Sequence, residues 1–183
     1  MKRVSVVFFI SFFILTFKSG AEIKSQPEQS AYFIEISIAK CRMYVYKKQP
    51  GGTRSFFREY SVATVKRGEK KYPLGLGHIT GVELDPYWQP TERTKKFFLE
   101  SHGIELPDII PPGDKLNFMG SFKACLSYDV PDRGKVYRIH GNNDESKIGK
   151  RATGGCIRMK NKEGLELIKT GVLKTGTEVE ITM

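Results

Sequence analysis

Between His140 and Arg158 the chain holds an imidazole, a thiol and a guanidinium within nineteen positions, a set of groups suited to acyl transfer through a cysteine. A free thiol is mostly protonated near neutral pH and the thiolate is the nucleophile, so a reactive Cys156 needs a base or a positive neighbour. His140 supplies the base: its imidazole takes the thiol proton, and the imidazolium later protonates a leaving amine. Gly154 and Gly155 stand directly before the thiol. Without side chains, they let the N–H groups of the Gly155–Cys156 turn approach a carbonyl oxygen as it becomes an oxyanion, an effect worth about 3 kcal/mol per well-placed donor. Arg158, two residues past Cys156, returns to the same side of an extended chain, and its guanidinium fork suits a carboxylate.

These groups need elements to bring them together. Lys135-Val136-Tyr137-Arg138-Ile139 alternates as a strand does, which puts His140 at a strand end on the face of Val136 and Arg138. From Gly141 to Gly155 the residues are mostly Asn, Asp, Ser, Gly and Lys, a composition that bends the chain and can return Cys156 towards His140. A zinc site is the alternative use of the same pair, but two ligands without a Cys-x-x-Cys or His-x-x-x-His partner fall short of one, so no metal is expected.

The rest of the chain reads as mainly β. Tyr32 to Tyr46, Phe56 to Val65, Gly77 to Leu84, Val136 to His140 and Glu178 to Thr182 are strand-forming, Phe122 to Tyr128 is strand-like, and Gln49-Pro50-Gly51-Gly52 is a loop. One helix is expected after Cys156, with Asn161 as its cap, Leu165, Leu167 and Ile168 within it and Gly171 ending it. Phe97 to Ile104 is a candidate for a second, shorter one. Residues 32–183 make one domain, and no repeat or dinucleotide-binding glycine pattern interrupts them.

Lys2 and Arg3 precede an apolar run from Val4 to Phe17, and Ser19-Gly20-Ala21 offers small residues of the kind a signal peptidase reads. Residues 1–21 are therefore expected to be a secretory signal and 22–31 a short polar linker. The formal net charge is +10, and losing Lys2, Arg3 and Lys18 leaves +7, which favours an anionic wall or membrane surface. Nucleic acid is not an expected partner, because no recognisable binding module accompanies the charge. Of the three cysteines, Cys41 and Cys125 either pair or remain buried thiols, since sequence does not give their separation. His78 and His102 read as structural or exposed.

The segment His140-Gly141, a loop, then Thr153-Gly154-Gly155-Cys156-Ile157-Arg158 resembles the signature of the L,D-transpeptidase (YkuD-type) catalytic domain family. Upstream, Pro73-Leu74-Gly75 to Ile79 is similar to the family's Thr-Pro-x-Gly segment, with Tyr72 where Thr is usual, and Pro86-Tyr87-Trp88-Gln89-Pro90 to its Pro-x-Trp-x-Pro element. Downstream, Gly176-Thr177-Glu178-Val179-Glu180-Ile181 resembles its closing strand. Many members carry His where Gly154 stands. A sortase also combines His, Cys and Arg, but its Thr-Leu-x-Thr-Cys is absent.

The resemblance implies a mixed β-sandwich with one or two short helices and a cleft over the motif. It implies Cys156 as nucleophile, His140 as base and the Gly141 carbonyl as the group orienting the imidazole. Gly155, Arg158 and Thr153 fall to oxyanion stabilisation or substrate binding. The implied substrate is a peptidoglycan stem peptide, with a second stem, a wall-anchored protein or water as acceptor and carbapenem-type β-lactams as inhibitors. No cofactor is implied. Such an enzyme works in the periplasm or the bacterial cell wall.

Overall fold

Alternation in Tyr32–Ser37 and Arg42–Lys48 turns Ile34, Ile36, Met43 and Val45 inward, and these segments form an antiparallel hairpin, β1 and β2. They belong to a computed structural model that describes residues 30–69, 72–128 and 137–183. The expected signal, nearly all of the linker, and Val136 lie outside those residues. Cys41, expected in a strand, instead sits at the end of the hairpin turn with φ 53°. It is buried there, 3.4 Å from Thr64 Oγ1. The remaining strands are β3 (Arg54–Ser61), β4 (Thr64–Val65), β5 (Gly75–Leu84), β6 (Phe122–Leu126), β7 (Arg138–His140), β8 (Arg151–Thr153), β9 (Ile157–Arg158) and β10 (Glu178–Thr182).

Eight strands form one sheet in the order β3-β2-β1-β10-β5-β6-β7-β9, and β4 pairs with β8 beside it. The centre is β10, parallel to β1 and antiparallel to β5. The long strand β5 serves both halves: its first residues, Gly75 to His78, pair with β10, and Ile79 to Leu84 pair with β6 across a register shift. The expected sandwich is thus one curled, mainly β sheet. Its inner faces share a core of Ile34, Ile36 and Val45 from one half with Phe122, Ile139 and Ile157 from the other. The chain leaving β3 crosses to the opposite edge, where Ala63 and Arg158 exchange both backbone hydrogen bonds, at 2.7 and 3.0 Å.

Among the described residues, two α-helices complete the fold. Helix α1 covers Glu92–His102, starting five residues before the expected Phe97 because Thr91 caps it, its hydroxyl accepting from Thr94 N–H. Gly103, at φ 66°, ends it. Helix α2 covers Asn161–Lys169. The N-cap position belongs to Lys160, not Asn161, and Glu145 Oε1 takes the first N–H of the helix. Gly164 lets α2 lie on the sheet, for a Cβ there would meet the Phe122 ring at 2.0 Å. Between β5 and β6, residues 85–121 build a second small core from Trp88, Leu106 and Ile110, with Phe98, Leu116, Phe118 and Met119 packed on it.

Candidate active site

Strand register brings two of the candidate groups together. In the parallel pair β7–β9, Ile139 stands beside Ile157 and His140 beside Arg158. Neighbours across a ladder share a face and successive residues alternate, so Ile139 and Ile157 point into the core while His140 and Arg158 point away from it. Cys156 stands just before β9, two residues ahead of Arg158 and near enough for its charge to act on that guanidinium. On β6, Lys123 is opposite His140 and Cys125 opposite Arg138. Lys123 is held by an ion pair to Glu83 on β5, at 2.7 Å. The face therefore carries His140, Arg158 and Arg138, with Lys123 and Cys125 one strand away and Cys156 just before β9.

His140 is buried, and its Nδ1 lies 2.7 Å from the Gly141 carbonyl oxygen. A carbonyl only accepts, so Nδ1 carries the proton and Nε2 keeps the lone pair. Burial pushes the imidazole pKa down to about 3, the Arg158 and Arg138 charges act in the same direction, and backbone hydrogen bonds to Gly141 and Met119 oppose them. The ring is neutral at physiological pH and so available as a base.

Cys156 is partly exposed, at the mouth of the face. The turn before it is fixed by Gly155, whose φ of 135° and contact with the Tyr137 ring admit no side chain: a Cβ would lie 2.6 Å from Tyr137 Cε1. Gly154, by contrast, faces open space. The Gly155 N–H donates to Thr153 Oγ1 at 3.2 Å. Thr153 is itself buried, inside the turn.

The Arg158 side chain is mostly buried with Nε unpartnered, and its guanidinium lies over the Phe118 ring at 6.0 Å. Burial lowers its pKa, against the pull of Cys156 and Asp144. A largely desolvated guanidinium with an unfilled Nε–H is a ready receptor for an anionic group. Phe118 also touches Trp88 at 5.3 Å and Phe98 at 5.4 Å, so the small core of residues 85–121 supports the arginine. Sequence reasoning passed over Phe118 and Met119, since neither lies in a motif and their spacing signals no site.

His78 and His102 are exposed on β5 and at the end of α1, and neither belongs to this face. Cys41 and Cys125 are free thiols. Among the described residues no three His, Cys, Asp or Glu side chains gather as metal ligands.

The L,D-transpeptidase catalytic domain model matches residues 31–181. The chain belongs to that family. Over 170 residues it is 32% identical to the probable L,D-transpeptidase YcfS of Escherichia coli, covering 85% of this chain and 45% of the relative. To the putative L,D-transpeptidase YqjB of Bacillus subtilis it is 47% identical over 124 residues, covering 67% of this chain and 58% of the relative. The chain thus spans about half the length of these relatives. Its fold is similar to that of the L,D-transpeptidase LdtMt1 solved in complex with imipenem, with a TM-score of 0.51, 15% identity, and coverage of 84% of this chain and 59% of that one.

Proposed function

We propose that this protein is an exported cysteine L,D-transpeptidase acting on peptidoglycan tetrapeptide stems. The observation that carries the reading is the pairing of His140 on β7 with Arg158 on β9, two residues past Cys156, in a member of this family. His140 Nε2 takes the Cys156 thiol proton, and the thiolate attacks the carbonyl of the diamino residue at stem position three. The tetrahedral oxyanion is met by the Cys156 N–H. The carbon–nitrogen bond then breaks, His140 returns the proton to the departing D-alanine amine, and a thioester remains. An incoming amine, relieved of its proton by His140, attacks the thioester and restores the thiol. Arg158 holds a carboxylate of the stem.

The acceptor sets the product: a neighbouring stem gives a 3→3 cross-link, a protein amine gives a wall-anchored protein, and water makes the enzyme an L,D-carboxypeptidase. Carbapenem-type β-lactams acylate Cys156 in place of the stem, a reading supported by the solved relative that holds imipenem. The site of action is the periplasm or cell wall, consistent with the signal-like residues 1–21 and the basic charge. A wall-binding module without catalysis is the competing possibility. Intact mass spectrometry of the protein with a disaccharide-tetrapeptide decides: a thioester adduct or released D-alanine, absent in Cys156→Ala and His140→Ala, is expected. No adduct and no turnover in folded protein with a reduced Cys156 would overturn the assignment.

A further inference from the structure

The side chain of Asn161 is expected to cap α2 but does something else. Its Oδ1 accepts from Ser121 N–H at 2.9 Å and from Asn142 N–H at 3.2 Å, and its Nδ2 donates to the Asn142 carbonyl at 2.6 Å. One amide thus ties the start of α2 to the residue before β6 and to the segment just past β7. The surroundings are shaped to admit it. A Cβ on Gly141 would lie 2.0 Å from Asn161 Oδ1, and one on Gly120, which has φ 69°, would lie 2.3 Å from the same atom. Both glycines leave room for this amide.

The bond to Asn142 N–H matters most, because that N–H and the Gly141 carbonyl are the two ends of a single peptide group. The carbonyl end accepts the proton of His140 Nδ1 at 2.7 Å. The order of groups is therefore Asn161 Oδ1, the Gly141–Asn142 peptide, then the imidazole. Hydrogen bonds in series polarise one another, so a peptide whose N–H is donated offers a more negative oxygen at its other end. A fixed acceptor at Nδ1 holds the proton there and leaves Nε2 as the base.

We propose that Asn161 is a positioning residue for His140, acting through the Gly141–Asn142 peptide to select the imidazole tautomer that activates Cys156. Its dependence on the function proposed above is limited to the role of His140 as base.

The test is independent of any peptidoglycan substrate. Ring ¹⁵N chemical shifts of His140 report the tautomer, and the rate of Cys156 alkylation by iodoacetamide at neutral pH reports the activation, each measured in Asn161→Ala and Asn161→Asp. Asn161→Ala is expected to move the ring shifts away from a pure Nδ1–H tautomer and to slow alkylation about ten- to a hundredfold, the range seen when a histidine's outer partner is lost. Asn161→Asp keeps an acceptor for Asn142 N–H, so it should retain the tautomer and much of the rate.

Unchanged ring shifts and alkylation in folded Asn161→Ala would overturn the proposal. If that variant does not fold, loss of the Nδ1–H signature in folded Asn161→Asp would overturn it instead. Wild-type protein with the expected tautomer but no stem-peptide turnover would count against the enzyme assignment alone.

Discussion

His140 and Arg158 stand side by side in parallel register, so a base and a cation share one outward face while the residues before each of them fill the core. The arrangement has a cost. A mostly buried guanidinium with an unpartnered Nε carries a desolvation cost that the Phe118 ring only partly offsets, and replacing a buried charge by a well-packed apolar group is often neutral or favourable. Arg158→Met is expected to fold at least as stably as the wild type, by up to about 1 kcal/mol, while losing roughly ten- to a hundredfold in kcat/KM for the stem peptide. Urea unfolding and steady-state kinetics on the same sample check both halves. A variant that loses stability and keeps its kinetics would contradict this account.

The depressed His140 pKa sets a pH dependence with a definite sign. Its value of about 3 in the folded protein lies below the ordinary 6.5, so the unfolded chain takes up a proton first as pH falls. The contribution is complete above pH 6.5 and is lost progressively towards pH 3, by about 2 kcal/mol between pH 7 and pH 5. His140→Asn should flatten that part of the stability profile. Equal slopes for the two proteins over this interval would rule the explanation out.

Adjacent glycines before the thiol are expected to behave in opposite ways. Gly154 faces open space and carries no left-handed φ, so Gly154→His, which restores the residue many relatives of this family resemblance carry, should fold with stability within about 0.5 kcal/mol of wild type. Gly155→Ala meets Tyr137 and a φ of 135°, and should lose about 2 kcal/mol or more together with Cys156 reactivity. Thermal melts and thiol alkylation of the pair separate the two positions.

Phe118 links the small core to the arginine. Phe118→Leu keeps a comparable apolar volume against Trp88 and Phe98 but removes the ring under Arg158. Loss of a partly desolvated cation–π contact corresponds to about 0.5–2 kcal/mol, so KM for an anionic stem should rise about two- to thirtyfold with kcat less affected. An unchanged KM would disconnect this ring from substrate binding.

The strands were largely legible because alternation is imposed by burial on one face, as in Ile34, Ile36, Met43 and Val45. The motif from His140 to Arg158 was legible for a different reason: its chemistry needs particular residue types close together. Less could be read where tertiary contacts reassigned a local signal. Asn161 has a good cap residue's chemistry, yet its amide goes to Ser121 and Asn142, forty and nineteen residues away. Gly155 was read as an opening for the oxyanion, and what constrains it is the Tyr137 ring beneath. Thr91, which lengthens α1 beyond Phe97, is a local cap signal that the reading missed.

The placing of β10 has a consequence for how the site comes into being. β1 and β5 both bond to this strand, so the last strand of the described chain is the middle of the sheet. While Glu178 to Thr182 is still unmade or still threading through an exit, β1 and β5 have no strand to join them. Pairings of such long separation in sequence form late. Cys156 is therefore synthesised before the sheet that surrounds it is complete, and a chain cut short of Glu178 carries this thiol without the central strand.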